Sequence, residues 1–231
     1  MSFNNNLIDL KEISLNLRKK IIETSHKAKI PHLGSCLSCI DILVFLYWRE
    51  LKIDLETVDH IERDRFVLSK GHGAPALFQV LAHKGFFPIS DLEKFGKNGS
   101  FFHEHPPKPG LIKGIEAATG SLGHGMPMAI GFALASRISK LNYRIYALLS
   151  DGECNEGTIW ESAMLAAAQK ISNLTIIIDY NKWQATGRSN EILALEPLKE
   201  KWEAFGWHTE EIDGHNFEEL SNVFRKARNE M

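Results

Sequence analysis

The sequence has few cysteines, no excess of charge and no long hydrophobic run, and each absence removes a class of protein. Its 231 residues contain 3 cysteines, an odd number that argues against a disulfide framework. Lys and Arg total 27 against 29 Asp and Glu, so the net charge of -2 gives no reason to expect a nucleic-acid partner or an anionic membrane. No apolar stretch approaches the roughly 20 residues that span a bilayer. The polar N-terminus does not resemble a signal peptide, and we expect a cytoplasmic protein.

Two of the cysteines, Cys36 and Cys39, form a C-x-x-C motif, which in other proteins binds zinc or carries redox chemistry. No second Cys or His pair at ligand spacing follows this motif. Both cysteines fall in an apolar segment, residues 36–50, whose pattern predicts a helix. Because free cysteine is among the most buried residue types, we predict that both thiols are part of the core.

The spacing of apolar residues predicts an α/β fold. Helical spacing covers residues 7–28, 36–50, 74–84, 122–141, 156–170 and 217–229. Short apolar runs predict strands at residues 65–69, 143–149 and 174–178, with a further candidate at 207–212. Pro and Gly crowd residues 96–120, which predicts a long loop, and long ordered loops are often functional. Apolar strands that alternate with helices indicate a doubly wound, mostly parallel sheet with helices on both faces.

Polar side chains follow two successive predicted strands. Asp151 comes directly after one strand, and Asn181 follows the next. Ligands of open α/β sheets bind at the carboxyl ends of the strands, and oxygen ligands suit Mg²⁺. Gly152 lets a diphosphate approach the backbone, and the helix that begins near Glu156 offers free N–H groups. The alternative is that Asp151-Gly152 is only a turn and Asn181 only a cap; their position at successive strand ends favours a metal–diphosphate site.

Several segments resemble the transketolase family of thiamine diphosphate enzymes. Residues 150–153 (SDGE) and 179–182 (DYNK) are similar to the motif G-D-G followed by N, with Ser150 in place of the first glycine. Further similar segments are SKGHG at 69–73, TGSLGHG at 119–125 and IDGHN at 212–216. The resemblance runs from about residue 10 to about residue 225 and implies a thiamine diphosphate-binding fold over residues 1–231.

The resemblance implies a cofactor site that contains thiamine diphosphate and Mg²⁺, with Ca²⁺ or Mn²⁺ as possible replacements. The side chains of Asp151 and Asn181 and the backbone carbonyl of Trp183 are the implied metal ligands. The implied cofactor contacts are His72, Gly120, Ser121, Leu122, Asp151, Gly152, Glu153 and Asn181.

The same resemblance implies four catalytic residues. His32, in PHLGS, matches the family's substrate-binding histidine, and His72 is expected near the cofactor phosphates and the reacting centre. His105, in HEHPP, matches the histidine of the family's G-H-P, with His103 as the other possibility. Glu156 corresponds to a glutamate that meets the catalytic glutamate of the partner chain. Neutral imidazoles suit a substrate with several hydroxyls and a carbonyl.

The 231 residues contain no counterpart of the family's pyrimidine-binding and C-terminal domains. A strand and a G-K-G loop that normally follow residue 229 are also missing, as in a shortened chain or in a variant whose partner completes the sheet. The resemblance is therefore to the N-terminal subunit of a split transketolase. It implies a partner chain with the missing domains, a heterotetramer and activity only in the complex.

The implied reaction is transfer of a two-carbon ketol unit from a ketose phosphate to an aldose through a thiamine diphosphate adduct. One alternative is a subunit of another thiamine enzyme, either a deoxyxylulose-phosphate synthase or the α subunit of a 2-oxo acid dehydrogenase. A second alternative is a regulatory subunit that binds the cofactor without catalysis.

Overall fold

The protein is described by a computed structural model that covers residues 3–229. Eight α-helices and five strands lie in this range, in the order α1, α2, β1, α3, α4, β2, α5, β3, β4, β5, α6, α7 and α8. The helices are α1 Phe3–Ala28, α2 Leu33–Phe45, α3 Ala74–His83, α4 Gly125–Ile138, α5 Gly157–Ala168, α6 Ser189–Ile192, α7 Leu198–Ala204 and α8 Phe217–Asn229. The strands are β1 Arg65–Leu68, β2 Ile145–Ser150, β3 Leu174–Asp179, β4 Trp183–Gln184 and β5 Gly187–Arg188.

The central sheet has three parallel strands in the order β1-β2-β3. Leu68 of β1 lies beside Leu148, and Ser150 at the end of β2 lies beside Asp179 at the end of β3. All three strands therefore end at the same edge. The two remaining strands, β4 and β5, form a small antiparallel hairpin directly after that edge.

The middle strand, β2, is buried along its whole length and separates two hydrophobic cores. Tyr146 and Leu148 face the core formed with α1, α2, α3 and α8. Ile145, Ala147 and Leu149 face the opposite core, formed with α4, α5 and α7. Because successive side chains of a strand point to opposite faces, this division confirms a parallel sheet with helices on both faces.

The predicted strands at 65–69, 143–149 and 174–178 match β1, β2 and β3 within two residues. The predicted helices are also present, and residues 96–120 contain neither helix nor strand, as expected. The helix predicted from residue 122 starts only at Gly125, because Gly123 has a positive φ of 83° and interrupts the helical backbone.

The strand predicted at residues 207–212 is wrong, since this segment has no strand in the structure. Trp207 instead packs edge-to-face against Trp202, and its indole N–H donates to the carbonyl of Ala163 in α5. The apolar residues of this segment reflect its packing against helices. The short elements α6, α7 and the β4–β5 hairpin were also not predicted.

A buried carboxylate ties α8 to the sheet at the end opposite to the polar strand ends. Glu50, whose side chain is 4% exposed, accepts two hydrogen bonds from Arg228 at 2.6 and 2.7 Å. Glu50 also accepts the hydroxyl hydrogen of Tyr146 at 2.7 Å. Arg144, just before β2, donates to the carbonyls of Ala227 and Arg228. The end of α8 is thus held by charged hydrogen bonds as well as by apolar contacts.

We expect the substitution Arg228→Met to lower the free energy of unfolding by about 2 kcal/mol, because Glu50 stays buried without its counter-charge. This loss of unfolding free energy is smaller than for a fully buried ion pair, because the Arg228 side chain is 40% exposed. Urea unfolding followed by circular dichroism measures the change. Lys20→Met, which removes a surface pair with Glu23, is the control and should not shift the transition. An unchanged midpoint in Arg228→Met would contradict a role for this contact.

Candidate cofactor and substrate site

Asp151 lies at the carboxyl end of β2 and is completely buried. Its Oδ1 accepts the N–H of Gly152 at 2.8 Å. Its Oδ2 accepts the N–H of Lys182 at 3.0 Å and the hydroxyl of Ser189 at 2.6 Å. All of these donors are neutral, and within residues 3–229 no Lys, Arg or His side chain forms an ion pair with this carboxylate. A buried carboxylate without a counter-charge is costly, so a cation at this point would stabilise the fold.

Asn181 follows the neighbouring strand end and is partly buried. Its Oδ1 accepts the N–H of Trp183 at 2.9 Å, and its Nδ2 donates to the carboxylate of Asp179 at 3.3 Å. The Trp183 side chain is 57% exposed and stacks under the guanidinium of Arg188. The structure therefore brings the three predicted metal ligands to one edge of the sheet: Asp151 follows β2, Asn181 lies between β3 and β4, and Trp183 begins β4.

Gly152 begins a short 3₁₀ helix over Gly152–Asn155, against the side chain of Gln184. A Cβ atom at residue 152 would lie 2.9 Å from Cδ of Gln184, so the Gln184 side chain packs directly against the Gly152 backbone. The Nε2 of Gln184 is buried and has no hydrogen-bond partner in the described part of the chain. A buried donor without a partner is expensive, which is consistent with a polar ligand beside Gly152.

The loop that precedes α4 contains Gly120, Ser121 and Leu122, the predicted cofactor contacts. Ser121 is exposed, and the other two are partly buried. A Cβ atom at residue 120 would lie 3.0 Å from Cδ2 of His105. Gly71 packs against the same loop, since a Cβ atom there would lie 2.7 Å from the backbone of residues 119 and 120. Glycine at both positions lets two backbone segments and an imidazole come together.

Glu153 is completely buried, and its carboxylate is used within the protein. Its Oε1 accepts the N–H of Gly123 at 2.8 Å and the hydroxyl of Ser69, and its Oε2 accepts the N–H of Ser150 at 3.3 Å. Burial raises the pKa of this carboxyl group. Glu153, predicted as a cofactor contact, therefore fixes the 120–124 loop against the ends of β1 and β2.

Three predicted catalytic histidines come together although they are far apart in the sequence. The rings of His32 and His72 have centroids 5.2 Å apart. His105 lies against Gly120 and is one of the groups that lower the pKa of His72. His32 precedes α2 with φ 69° and ψ 16°, a left-handed conformation that is uncommon outside glycine. Such backbone conformations often occur at functional sites.

His72 is kept neutral by its surroundings. Burial, followed by the charge of Lys70 and then by His32 and His105, lowers its pKa to about 4. Near neutral pH its imidazole therefore has one N–H donor and one nitrogen acceptor. Both histidines in HEHPP are exposed, and it is His105 that lies against Gly120. The geometry agrees with the first choice made from the sequence.

Glu156 caps the start of α5 with an extended backbone, and its side chain is exposed. It lies next to the cofactor loop, because a Cβ atom at residue 123 would be 2.9 Å from Cβ of Glu156. The carboxylate is therefore accessible from outside the described residues.

A buried ion pair that was not predicted from the sequence lies beneath the histidines. Nζ of Lys70, a residue with no exposed surface, lies 2.5 Å from Oδ2 of Asp179. Burial opposes the charge of Lys70, but the groups around it, among them Asp179, raise its pKa above the ordinary lysine value. The sequence does contain an indication of this pair, because Lys70 follows β1 and Asp179 ends β3. Their distance across the intervening strand could not be read from the sequence.

Cys36 and Cys39 are buried free thiols, as predicted. Burial raises their pKa values to about 11 and about 12, so both stay protonated at neutral pH. Within residues 3–229 no cluster of three or more His, Cys, Asp or Glu side chains forms a metal site. The predicted site is different in kind, because it combines one carboxylate with an amide and a backbone carbonyl. None of the described helices is both long and apolar enough to span a membrane.

Comparison with known proteins agrees with this geometry. The family model described as the transketolase, thiamine diphosphate binding domain matches residues 11–231. The 6-deoxy-6-sulfo-D-fructose transketolase subunit of Clostridium sp. (strain MSTE9) is 43% identical over 96% of this chain and 80% of its own length. An apulose-4-phosphate transketolase subunit of Phocaeicola vulgatus is 39% identical over 90% of this chain and 73% of its own length.

Solved transketolase structures share the fold. The transketolase of Campylobacter jejuni superposes with a TM-score of 0.88 at 30% identity over 95% of this chain. The match spans 35% of the Campylobacter chain, about a third of its length. Among the alternatives open from the sequence, these similarities favour transketolase over the deoxyxylulose-phosphate synthase and the 2-oxo acid dehydrogenase. The chain therefore belongs to the transketolase family and corresponds to its thiamine diphosphate-binding domain.

Proposed function

We propose that the chain is the N-terminal subunit of a two-chain transketolase that transfers a two-carbon ketol unit from a ketose phosphate to an aldose. The observation that carries this proposal is the buried carboxylate of Asp151, which lies at a strand end without a counter-charge. Asn181 and Gly152 flank it, and three histidines lie nearby on the adjoining loops. The two related subunits act, by their names, on sugars that carry an anionic group.

The residues at the sheet edge fit a divalent metal with a diphosphate. Mg²⁺ prefers oxygen ligands and is usually shared between a few protein groups and substrate phosphates. Oxygens of Asp151 and Asn181 and the carbonyl of Trp183 would hold it, and Ca²⁺ or Mn²⁺ would suit the same oxygen set. The Gly152 backbone and the unpartnered Nε2 of Gln184 would face the diphosphate.

Thiamine diphosphate, when bound, supplies a carbon nucleophile and an electron sink. Gly120, Ser121 and Leu122 would line the cofactor, held in position by Glu153. The backbone of this loop cannot move freely, because Gly123 is tied to Glu153 and its carbonyl accepts the hydroxyl of Thr158. A fixed loop reduces the entropy that binding would otherwise cost.

The three histidines would bind the hydroxyl and carbonyl groups of the sugar. A neutral His72 both donates and accepts a hydrogen bond, so it can hold a proton at one ring nitrogen and receive one at the other. His32 lies beside it, and His105 approaches from the loop at residues 96–120. Their convergence on one side of the sheet edge supports a substrate with several hydroxyl groups.

The exposed Glu156 supports the assignment of a partner. We propose a second chain that carries the pyrimidine-binding and C-terminal domains and supplies the glutamate that meets Glu156, in a cytoplasmic heterotetramer. Residues 1–231 would then be one diphosphate-binding domain. Two carboxylates in contact favour sharing a proton, which suits transfer to the cofactor's aminopyrimidine.

We expect Asp151→Ala combined with Asn181→Ala to weaken thiamine diphosphate binding by about 100-fold or more, at least as much as the loss of an outer-shell partner costs. Isothermal titration with Mg²⁺ and the partner chain measures the affinity. Glu200→Gln, on the exposed face of α7, is the control and should bind normally. Undiminished binding by the double variant would remove the metal assignment. Unchanged turnover would instead favour the regulatory alternative.

We expect His105→Ala to lower kcat/KM for a ketose phosphate donor by about 100-fold, the contribution of one positioned acid–base group. His103→Ala is the matched control in the same loop and should keep wild-type kinetics, because His105 and not His103 lies against Gly120 of the cofactor loop. Steady-state kinetics of the complex measures both. A large loss in His103→Ala with none in His105→Ala would reverse the assignment.

A further inference from the structure

The buried pair of Lys70 and Asp179 touches both halves of the proposed site. Nζ of Lys70 lies 2.5 Å from Oδ2 of Asp179 and donates to the carbonyl of Ser35 at 3.2 Å. Ser38 donates its hydroxyl to Oδ1 of Asp179 at 2.6 Å. Because Ser35 and Ser38 belong to the first turns of α2, the pair connects the ends of β1 and β3 to this helix.

On the metal side, Asp179 and the N–H of Trp183, which donates to Oδ1 at 2.9 Å, together orient the Asn181 amide. An ionised carboxylate only accepts hydrogen bonds, so the contact of 3.3 Å from Oδ2 selects the Nδ2 end of the amide. The carbonyl end, Oδ1, is consequently turned away from Asp179. Since metals bind the carbonyl oxygen of an amide, this orientation presents the correct atom of Asn181.

On the substrate side, the same pair fixes the segments that carry two histidines. His72 is two residues beyond Lys70, and the Sγ of Cys36 lies 3.8 Å from the carbonyl of His72. His32 immediately precedes α2, whose first turn supplies the Ser35 carbonyl to Lys70. A movement of Lys70 would therefore disturb both imidazoles.

We propose that the Lys70–Asp179 pair is a positioning device that couples the orientation of Asn181 to the positions of His32 and His72. The inference rests on the proposed function. Neither residue is a catalytic residue, because each acts through a neighbour. A purely structural role is the competing explanation, although buried ion pairs are often no more stabilising than apolar residues of similar volume. Such a pair then acts mainly by fixing the positions of neighbouring groups. Experiments can measure this effect separately from the stability of the fold.

The test replaces both charges at once, with Lys70→Met and Asp179→Leu in one chain, so that no uncompensated buried charge remains. Lys70→Met combined with Asp179→Asn, which keeps the size of the Asp179 side chain and again leaves no buried charge unpaired, is the second variant in case the first does not fold. The control is Arg228→Met, which removes a partly buried ion pair at the opposite end of the sheet. Hydrogen exchange by mass spectrometry is measured on the chain, and affinity for thiamine diphosphate with Mg²⁺ is measured with the partner.

We expect faster exchange in both residues 32–36 and residues 180–184 of the variants, and a cofactor affinity that is weaker by roughly 10- to 100-fold. Arg228→Met should lose stability but keep wild-type exchange in these segments and wild-type affinity. Wild-type exchange and affinity in the variants, or loosening of only one segment, would overturn the coupling. A wild-type complex that does not bind the cofactor would contradict the proposed function instead, and the exchange data would still decide the coupling.

Discussion

The parallel alignment of β2 with β3 is the constraint from which the site follows. It sets Ser150 beside Asp179, so that the residues after both strands leave the sheet at the same edge. Asp151 and Asn181 then lie on adjacent turns, and β1 adds Lys70 and His72 at the same level. Only a parallel sheet collects the ends of successive strands in this way, which is why ligands bind there.

This edge contains three buried carboxylates, and each is satisfied differently. Asp179 has the ammonium group of Lys70 and the hydroxyl of Ser38. Glu153 has only neutral donors, and its pKa is raised by burial. Asp151 also has only neutral donors. A divalent metal beside Asp151 would give this carboxylate the counter-charge that Lys70 gives Asp179. This edge of the sheet is thus already organised to bind a divalent metal together with a diphosphate.

Much of this organisation could be predicted from the sequence. Apolar strands of β2 and β3 followed by Asp151 and Asn181 identify the sheet edge, because strand ends in an α/β fold share one edge. The strand predicted at residues 207–212 was wrong, since apolar residues that pack against helices look the same in sequence as those of a strand. Contacts between segments that are far apart in the sequence also could not be predicted from the spacing of apolar residues. Nothing local to Lys70 indicates that it reaches across β2 to Asp179.

Glu153 illustrates the same limit within a recognised motif. The resemblance implies that Glu153 contacts the cofactor, and the motif does not indicate that its carboxylate turns inward to Ser69 and Gly123. The direction of a side chain within a 3₁₀ turn depends on what surrounds it. The sequence likewise could not decide whether His103 or His105 is the substrate-loop histidine. The contact of His105 with Gly120, which favours His105, is seen only in the folded structure.

The central claim is that Asp151, Asn181 and Trp183 form one metal site at the sheet edge. Mn²⁺ prefers the same oxygen ligands as Mg²⁺ and scatters anomalously, so its position can be read directly from diffraction. The decisive measurement is an anomalous difference map of the complex crystallised with Mn²⁺ and thiamine diphosphate. We expect one strong peak within about 2.0–2.3 Å of the Asp151 and Asn181 side-chain oxygens and the Trp183 carbonyl. A bound cofactor with no peak there, or a peak held by other residues, would contradict it.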